Sequence, residues 1–202
     1  MWLVVGLGNP GPEYANTRHN AGFLVIDRLA RRMGVTVQKK LRRALVGEGT
    51  LAGQRVALAK PQTYMNLSGD AVTGLLQWYK LSPSNVIVVY DDKDLPPGRI
   101  RVRPGGGPAG HRGMMSILQA LGTQEVARVR VGIGREPAEQ EGNDRGVGYV
   151  LSPFAKEEWP HIEEALERAA EAVETVLSDG VEAAMQRFNG LLSSRSGQTG
   201  PG

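Results

Sequence analysis

The chain has 202 residues, of which 41% are hydrophobic and 22% charged, a composition typical of one globular domain with a buried core. No apolar run is long enough to span a membrane, and the absence of cysteine excludes disulfides, thiol nucleophiles and cysteine-bound zinc. Because the N-terminus leads into an apolar strand pattern without a basic segment, we expect no signal peptide and a cytoplasmic location.

The basic residues are distributed unevenly, although the net charge is only +3. Residues 1–60 hold ten Lys or Arg against three Asp or Glu, and residues 98–135 hold seven against one. Residues 136–202 reverse the balance, with five against thirteen. The pattern fits either a solvated surface with an acidic terminal helix or a basic face that binds a polyanion, and the charges alone favour neither.

The first predicted elements are a buried strand at residues 3–5 and a helix over residues 21–33. The loop between them contains Gly6, Gly8 and Gly11, which match the dinucleotide-binding fingerprint. That fingerprint requires a helix that opens at its third glycine. Here a proline stands on each side of the third glycine and the helical pattern starts about ten residues later, so we disfavour dinucleotide binding.

The rest of the chain alternates between strand and helix patterns. In the middle of the chain the pattern predicts a basic turn at 39–43, a hairpin of strands 44–51 and 55–59, and a loop at 60–69. A helix capped by Ser68 follows, with Val72, Leu75, Leu76 and Tyr79 on one face. An apolar central strand is predicted at 85–90. The last part predicts a carboxylate-rich turn at 91–98, a basic edge strand at 99–103, a Gly/Pro loop at 104–113, a helix near 114–121, strands at 128–134 and 147–151, and helices at 157–177 and 181–188.

This alternation, without an internal repeat or an interdomain linker, predicts an α/β fold with a single domain. We expect a twisted mixed β-sheet flanked by helices. The catalytic α/β domain should cover residues 1–190. Residues 191–202 are small, polar and rich in glycine, so we expect a flexible C-terminal tail there.

Three loops that follow predicted strands carry polar residues, at 8–20, 60–69 and 91–98. Such loops can converge at one edge of an α/β sheet. They contain His19, Asp91 and several asparagines, and a fourth loop at 104–113, which precedes a helix, adds His111. A histidine that donates one ring nitrogen to a carboxylate keeps the other nitrogen basic, and asparagine amides can donate to a developing oxyanion. These groups are the minimum for ester hydrolysis without a metal or a covalent intermediate.

The residue types alone leave simpler interpretations open. His19 also fits a structural or capping residue, Asp91 an ordinary turn residue, His111 a helix start and His161 a solvated helix position. The sequence contains neither a Gly-x-Ser-x-Gly elbow nor a P-loop lysine. Three histidines that are far apart in sequence do not predict a zinc site.

Four blocks of the sequence are more specific than these patterns. They are, in order, Val5–Gly11 with Tyr14 and Thr17–Asn20, then Lys60–Gly69, then Asp91 with Asp94–Gly98, then Gly105–Gly107 with Gly110, His111 and Gly113. In these blocks the chain resembles the bacterial peptidyl-tRNA hydrolase family. The resemblance extends from residue 1 to about residue 190 and includes Arg130–Gly134, which is similar to that family's late strand.

The resemblance implies hydrolysis of the ester that joins a peptide to the terminal ribose of tRNA, which recycles tRNA from stalled translation. It also implies a monomeric enzyme that uses no metal or other cofactor and no membrane. By this resemblance His19 is the general base and Asp91 keeps it oriented and basic. Asn9 resembles the residue that separates N-blocked substrates from free aminoacyl-tRNA, and Asn66 would bind the peptide main chain.

The same resemblance implies further contacts with the substrate. Met65 would line the cleft, and Tyr14 and Tyr64 fall at positions that contact tRNA or its 3′ end. Arg103 and Arg130 match basic positions that hold phosphate of the acceptor stem.

The chain departs from the family pattern near its second histidine. Arg112 stands where the family usually has an asparagine that contacts substrate, so this arginine could take over that contact or bind phosphate. Residues 107–110 form a stiffer Gly-Pro-Ala-Gly loop, and Tyr90 replaces a frequent histidine before the catalytic aspartate. None of these changes removes His19 or Asp91, the implied base and its partner.

A binding protein remains as a second hypothesis. The chain could be a relative that binds RNA through its basic face without cleaving it. Intact His19, Asn66 and Asp91 argue against this alternative. A cleavage assay on peptidyl-tRNA distinguishes the two hypotheses.

Overall fold

The computed structural model describes residues 1–135 and 147–190. The strands are β1 (Trp2–Gly6), β2 (Lys39–Leu41), β3 (Ala44–Leu51), β4 (Gln54–Pro61), β5 (Val86–Asp92), β6 (Ile100–Arg103) and β7 (Ala127–Gly132). The helices are α1 (Ala21–Met33), α2 (Ser68–Tyr79), α3 (Arg112–Leu121), α4 (Val147–Val150), α5 (Trp159–Asp179) and α6 (Val181–Phe188). The expected tail at 191–202 lies outside the described residues, and the domain boundary at residue 190 stays a prediction.

The strands of the described residues form one mixed sheet in the order β2-β3-β4-β1-β5-β7-β6. Strands β1, β4, β5 and β7 run parallel to one another. Antiparallel pairings add β3 and β2 at one edge and β6 at the other. The single mixed sheet flanked by helices confirms the predicted fold class. The carboxyl ends of the four parallel strands lie at the same end of the sheet, which we call the carboxyl edge.

Helices cover both faces of the sheet. α1, α5 and α6 pack on one face against a cluster that includes Val4, Ile87 and Val129. α2 and α3 pack on the other face against a cluster that includes Val5 and Val88. Because β1 and β5 are buried on both faces, their sequences are continuous apolar runs rather than alternating ones. Among the helices of the described residues, none has both the length and the apolarity needed to cross a membrane.

Helix α1 approaches the sheet unusually closely at two glycines. A Cβ atom on Gly22 would lie 2.4 Å from the carbonyl oxygen of Val89, and one on Gly6 would lie 2.3 Å from that of Gly22. Real side chains do not tolerate such distances. The first glycine of the dinucleotide-like pattern is therefore needed for helix packing. This contact fixes the start of α1, and the turn before it, at the carboxyl edge.

Two predictions about the edge strand and the central strand were wrong in their boundaries. Residues 39–41, predicted as part of a basic turn, form β2, and only Arg42 and Arg43 make the turn. An edge strand with exposed lysines lacks the apolar alternation that marks a strand in sequence. The predicted turn at 91–98 begins later than expected, because Asp91 and Asp92 continue β5 and pair with β7.

Two further local predictions were also wrong. Residues 147–151 were predicted as a strand, but residues 147–150 form α4, since a short apolar run does not distinguish strand from helix. Ser68 does not cap α2: Leu67 occupies that position, and the Ser68 hydroxyl donates to the carbonyl oxygen of Met65.

The close packing of α1 leads to a stability prediction. Gly22→Ala should lower the free energy of unfolding by about 1–3 kcal/mol, because a clash with strand backbone outweighs the better helix propensity of alanine. Gly190→Ala is the matched control, since a Cβ atom there would meet no atom within 4 Å. Denaturant titration of both variants measures the difference, and equal stability would show that α1 can shift without cost.

Candidate active site

The polar residues predicted from three loops converge on one cleft at the carboxyl edge. The cleft has a volume of about 510 Å³ and lies above the end of β5. It is lined by Asn9, Tyr14, His19, Tyr64, Met65, Asn66, Asp91, His111, Arg112 and Arg130, among others. Arg103 is the one site residue proposed from the sequence that does not line it.

Asp91 and His19 form a direct pair at the bottom of this cleft. Nδ1 of His19 lies 2.8 Å from Oδ2 and 2.9 Å from Oδ1 of Asp91. His19 belongs to a 3₁₀ turn, Arg18–Asn20, that leads directly into α1. Since the start of α1 is fixed against the sheet, the imidazole has a fixed approach to the end of β5.

His111 is a second partner of the same carboxylate, a contact that the sequence analysis did not predict. Its Nε2 lies 2.9 Å from Oδ1 of Asp91, and its Nδ1 accepts from the backbone N–H of Met114 at 3.2 Å. The predicted role as a helix start is therefore correct, because His111 is the N-cap of α3. The sequence signal was its position in a Gly-rich block of the resemblance, which did not specify a contact with Asp91.

The hydrogen bonds determine which ring nitrogens carry protons. Burial raises the pKa of the Asp91 carboxyl, but the imidazoles of His19 and His111 outweigh that effect and hold the pKa well below its usual range. The ionised carboxylate only accepts, so Nδ1 of His19 and Nε2 of His111 donate to it. Nδ1 of His111 accepts from the backbone N–H of Met114, which is consistent with its Nε2 being the donor to Asp91. Nε2 of His19 is left with a free lone pair.

Asn9 has a fixed amide orientation beside the histidine pair. It is 8% exposed, and its Oδ1 accepts from the backbone N–H of Met65 at 3.0 Å. Asn20 holds the backbone of Asn9 with two hydrogen bonds, of 2.8 and 3.0 Å. With Oδ1 engaged, the Nδ2 group of Asn9 remains as a donor for a molecule in the cleft.

The tyrosines and asparagine of the predicted substrate site lie at the rim. Tyr64 is 69% exposed and Asn66 is also exposed, whereas Met65 between them is buried. Tyr64 is the N-cap of the 3₁₀ turn Met65–Leu67, which begins four residues after the end of β4. Their alternation presents the Tyr64 ring and the Asn66 amide to solvent while Met65 anchors the turn.

The basic residues differ in their availability. Arg130 donates from Nη1 to Oδ2 of Asp92 at 3.0 Å, so part of its charge is neutralised. Arg103 lies on edge strand β6, opposite Arg128 in register. Arg128 is buried and donates to three backbone carbonyls, including that of Gly107, which supports the loop before His111. The sequence did not show that Arg128 is buried and bonded to backbone, unlike the neighbouring arginines.

One wall of the cleft is held by Arg18. Val150 and Leu151 line the cleft, and the residues that follow them are bonded to the Arg18 side chain. Its guanidinium donates to the Ser152 hydroxyl at 2.6 Å and to the Pro153 carbonyl at 2.5 Å, and it forms an ion pair with Glu158. The residue next to the histidine of the site therefore also positions the facing wall.

The two histidines and Asp91 also form the kind of cluster that can bind a metal ion. In the described parts of the chain they are the one group of three such side chains, with ligand atoms within 4.8 Å of one another. Two of the three histidines, which are far apart in sequence, therefore meet in the fold. However, the N···O distances of 2.8 and 2.9 Å are those of hydrogen bonds from ring N–H groups to the carboxylate, whereas zinc requires the ligating nitrogens to be deprotonated. The group fits proton transfer better than zinc.

Comparisons with known proteins agree with this site. A family model described as peptidyl-tRNA hydrolase matches residues 3–197. The chain is 51% identical over 192 residues to a peptidyl-tRNA hydrolase of Chloroflexus aggregans, covering 95% of this chain and 100% of the relative. It is 50% identical over 188 residues to that of Moorella thermoacetica, covering 93% and 97%.

Solved structures give the same result. The crystal structure of peptidyl-tRNA hydrolase from Acinetobacter baumannii superposes with a TM-score of 0.86 at 36% identity, over 94% of each chain. Uridine phosphorylase from Vibrio fischeri superposes with a TM-score of 0.52 at 13% identity, over 88% of this chain and 91% of the other, so this similarity concerns the fold alone.

The contacts of Arg18 lead to a second stability prediction. Arg18→Met should lower the free energy of unfolding by about 2–4 kcal/mol. The substitution leaves Glu158, the Ser152 hydroxyl and the Pro153 carbonyl without their buried donor. Arg32→Met is the matched control, since its ion pairs with Glu167 and Glu174 are exposed and should contribute at most about 1 kcal/mol. Denaturant titration compares the two. A smaller loss for Arg18→Met than for Arg32→Met would contradict the anchoring role.

Proposed function

The chain belongs to the peptidyl-tRNA hydrolase family, and we propose that it cleaves its ester substrate with a water molecule activated by His19. It is a hydrolase that acts on peptidyl-tRNA in translation. The observation that supports the mechanism is the pairing of His19 Nδ1 with the buried Asp91, at 2.8 Å. This pairing leaves Nε2 of the same ring as a base in a cleft lined with amide donors.

The proposed reaction proceeds by direct attack of water. Nε2 of His19 takes a proton from water as the oxygen attacks the carbonyl carbon of the ester. A tetrahedral intermediate forms, and its oxyanion accepts a hydrogen bond from the Nδ2 group of Asn9. The intermediate collapses by breaking the bond to the ribose oxygen, and the His19 imidazolium returns its proton to that leaving oxygen. No metal and no covalent intermediate takes part.

Asp91 and His111 act through His19 in this mechanism. Asp91 holds the imidazole in the required tautomer and stabilises the imidazolium that forms after proton transfer. His111 donates to the same carboxylate at 2.9 Å, which helps to keep the buried charge compensated while His19 changes its protonation. We therefore assign Asp91 and His111 as positioning residues.

The remaining cleft residues fit the two parts of the substrate. Asn66, exposed beside Met65, is suited to the peptide main chain next to the ester. Asn9, with its amide fixed, is suited to select N-blocked substrates over free aminoacyl-tRNA. Tyr14 and Tyr64 offer aromatic surface to the 3′ end of tRNA. We propose that the enzyme acts as a cytoplasmic monomer, where translation supplies this substrate.

The basic residues beyond the cleft fit phosphate. Arg103 and Arg130 lie on neighbouring strands, and their side chains project from the same sheet face. We assign both to phosphates of the acceptor stem, with Arg130 exchanging part of its contact with Asp92 for phosphate. Arg112 is exposed at the first position of α3, at the rim of the cleft, and we assign it to phosphate as well.

Replacement of the base and its partner tests the mechanism. His19→Ala should lower turnover by about 10²–10⁴ without unfolding the protein, and exposed His161→Ala is the control.

Asp91→Asn should lower turnover and move the acid limb of the pH–rate profile to lower pH, because the imidazolium loses its anionic neighbour. Turnover measured on N-blocked aminoacyl-tRNA gives both results. Near-normal turnover of His19→Ala would refute the assignment.

A comparison of two arginines tests the phosphate assignments. Arg103→Ala should weaken binding of many tRNAs similarly and flatten its salt dependence, because phosphate contacts are independent of sequence. It should spare a minimal peptidyl-adenosine ester, which lacks the acceptor stem. Arg112→Ala should behave in the same way. If Arg112→Ala instead impairs the minimal ester, this residue contacts the reacting end. Equal damage to both substrates by Arg103→Ala would contradict its assignment.

A further inference from the structure

The turn between β2 and β3 consists of two consecutive arginines in an unfavourable backbone conformation. Arg42 and Arg43 have φ angles of 48° and 62°. Two-residue hairpin turns of this kind normally use Asn-Gly, because a residue with a Cβ atom is disfavoured in the left-handed region. Two arginines therefore do not favour the backbone conformation of this turn. We look for the reason for their presence in the contacts of their side chains.

The Arg42 side chain lies across helix α2 and ends over an exposed tryptophan. Its guanidinium carbon is 5.5 Å from the ring centroid of Trp78, which is 50% exposed. Gly74, one turn earlier in α2, provides the space, since a Cβ atom there would lie 3.2 Å from Cβ of Arg42. A guanidinium and an indole are thus presented to solvent side by side.

The Arg43 side of the turn connects this surface to the active-site cleft. Its side chain donates to Asp70 at 3.1 Å, with both side chains more than half exposed. Its carbonyl oxygen accepts from the backbone N–H of Gln62 at 2.8 Å. Two residues after Gln62 stands Tyr64, the exposed ring at the rim of the cleft. The surface is therefore continuous with the place where the substrate enters.

The charge of this surface is basic and largely available. Exposed Lys39 and Lys40 precede the turn, so residues 39–45 hold four cations and no acid. Arg43 shares its charge with Asp70 in an exposed pair, whereas Arg28 and Arg32 form ion pairs with glutamates of α5. Exposed cations next to an exposed aromatic ring are the combination that binds an RNA backbone and stacks on a base.

We propose that Arg42, Arg43, Lys39, Lys40 and Trp78 form a second RNA-binding surface, which binds phosphates of the tRNA substrate on the flank opposite Arg103. This proposal rests on the proposed function, since it assigns the tRNA part of the same substrate. The β2–β3 turn and β6 lie at opposite sides of the seven-stranded sheet, about 29 Å apart at 4.8 Å per strand. In the strand order the cleft above β5 lies between them, and the tRNA is the part of the substrate that is large enough to contact both flanks.

Replacement of both turn arginines by glycine separates a binding role from a structural one. The double variant Arg42→Gly/Arg43→Gly should raise KM for N-blocked aminoacyl-tRNA. It should also make log(kcat/KM) fall less steeply with log[salt], with the magnitude of the slope smaller by about 1–2. Cleavage of a minimal peptidyl-adenosine ester should stay unchanged. The unfolding midpoint should stay equal or rise, because glycine suits the left-handed turn.

Two further variants complete the experiment. Arg31→Gln/Arg55→Gln removes two exposed cations elsewhere and should leave the kinetics on tRNA near those of the parent enzyme. Trp78→Leu keeps the charge, so it should raise KM for tRNA while leaving the salt slope unchanged.

Three results would overturn the proposal. They are an equal effect of the two double variants, a lower unfolding midpoint with unchanged kinetics on tRNA, and a loss of activity on the minimal ester. Failure of the proposed function would look different, because His19→Ala would then retain activity on both substrates whatever the turn variants do.

Discussion

The buried charge of Asp91 is the constraint around which the site is built. A carboxylate that is 4% exposed at the end of a central strand is stable only when hydrogen-bond donors compensate it. His19 and His111 supply those donors from elements on opposite faces of the sheet, the turn before α1 and the N-cap of α3. The charge thus determines the tautomer of both rings, and the ring nitrogen left over on His19 is the one available for chemistry.

The packing of α1 makes this arrangement precise. Gly6 and Gly22 allow the helix to approach the sheet until backbone meets backbone, and a methyl group at either position would prevent this. The turn that carries His19 follows the position of the helix directly. Arg18 then ties the facing wall to the same turn through a set of hydrogen bonds and an ion pair. The His19 ring and the facing wall are therefore both positioned by the turn that leads into α1.

In the folded chain some basic residues form ion pairs with the acidic helix α5, and others stay exposed on the surface. The acidic α5 neutralises part of the basic excess of the first sixty residues, through ion pairs with Arg28 and Arg32. The cations of the β2–β3 turn remain exposed, and Arg101 and Arg103 on β6 are half-buried. The two interpretations of the charge pattern, solvated surface and basic face, thus apply to different residues of the same chain. Partners that are distant in sequence decide which applies to each.

Local periodicity and motifs of fixed spacing were enough to predict the fold class, the buried strands and the family. The motifs also named His19, Asp91 and Asn9. They could not show that His111 shares the Asp91 carboxylate, or that Arg128 is buried while Arg103 is not, because these facts depend on which side chains meet across the sheet. The strand at 39–41 and the helix at 147–150 were misjudged for a related reason, since short segments take their conformation from their neighbours. Tertiary structure alone decided these points, because hydrogen-bond compensation and burial are properties of contacts between residues far apart in the chain.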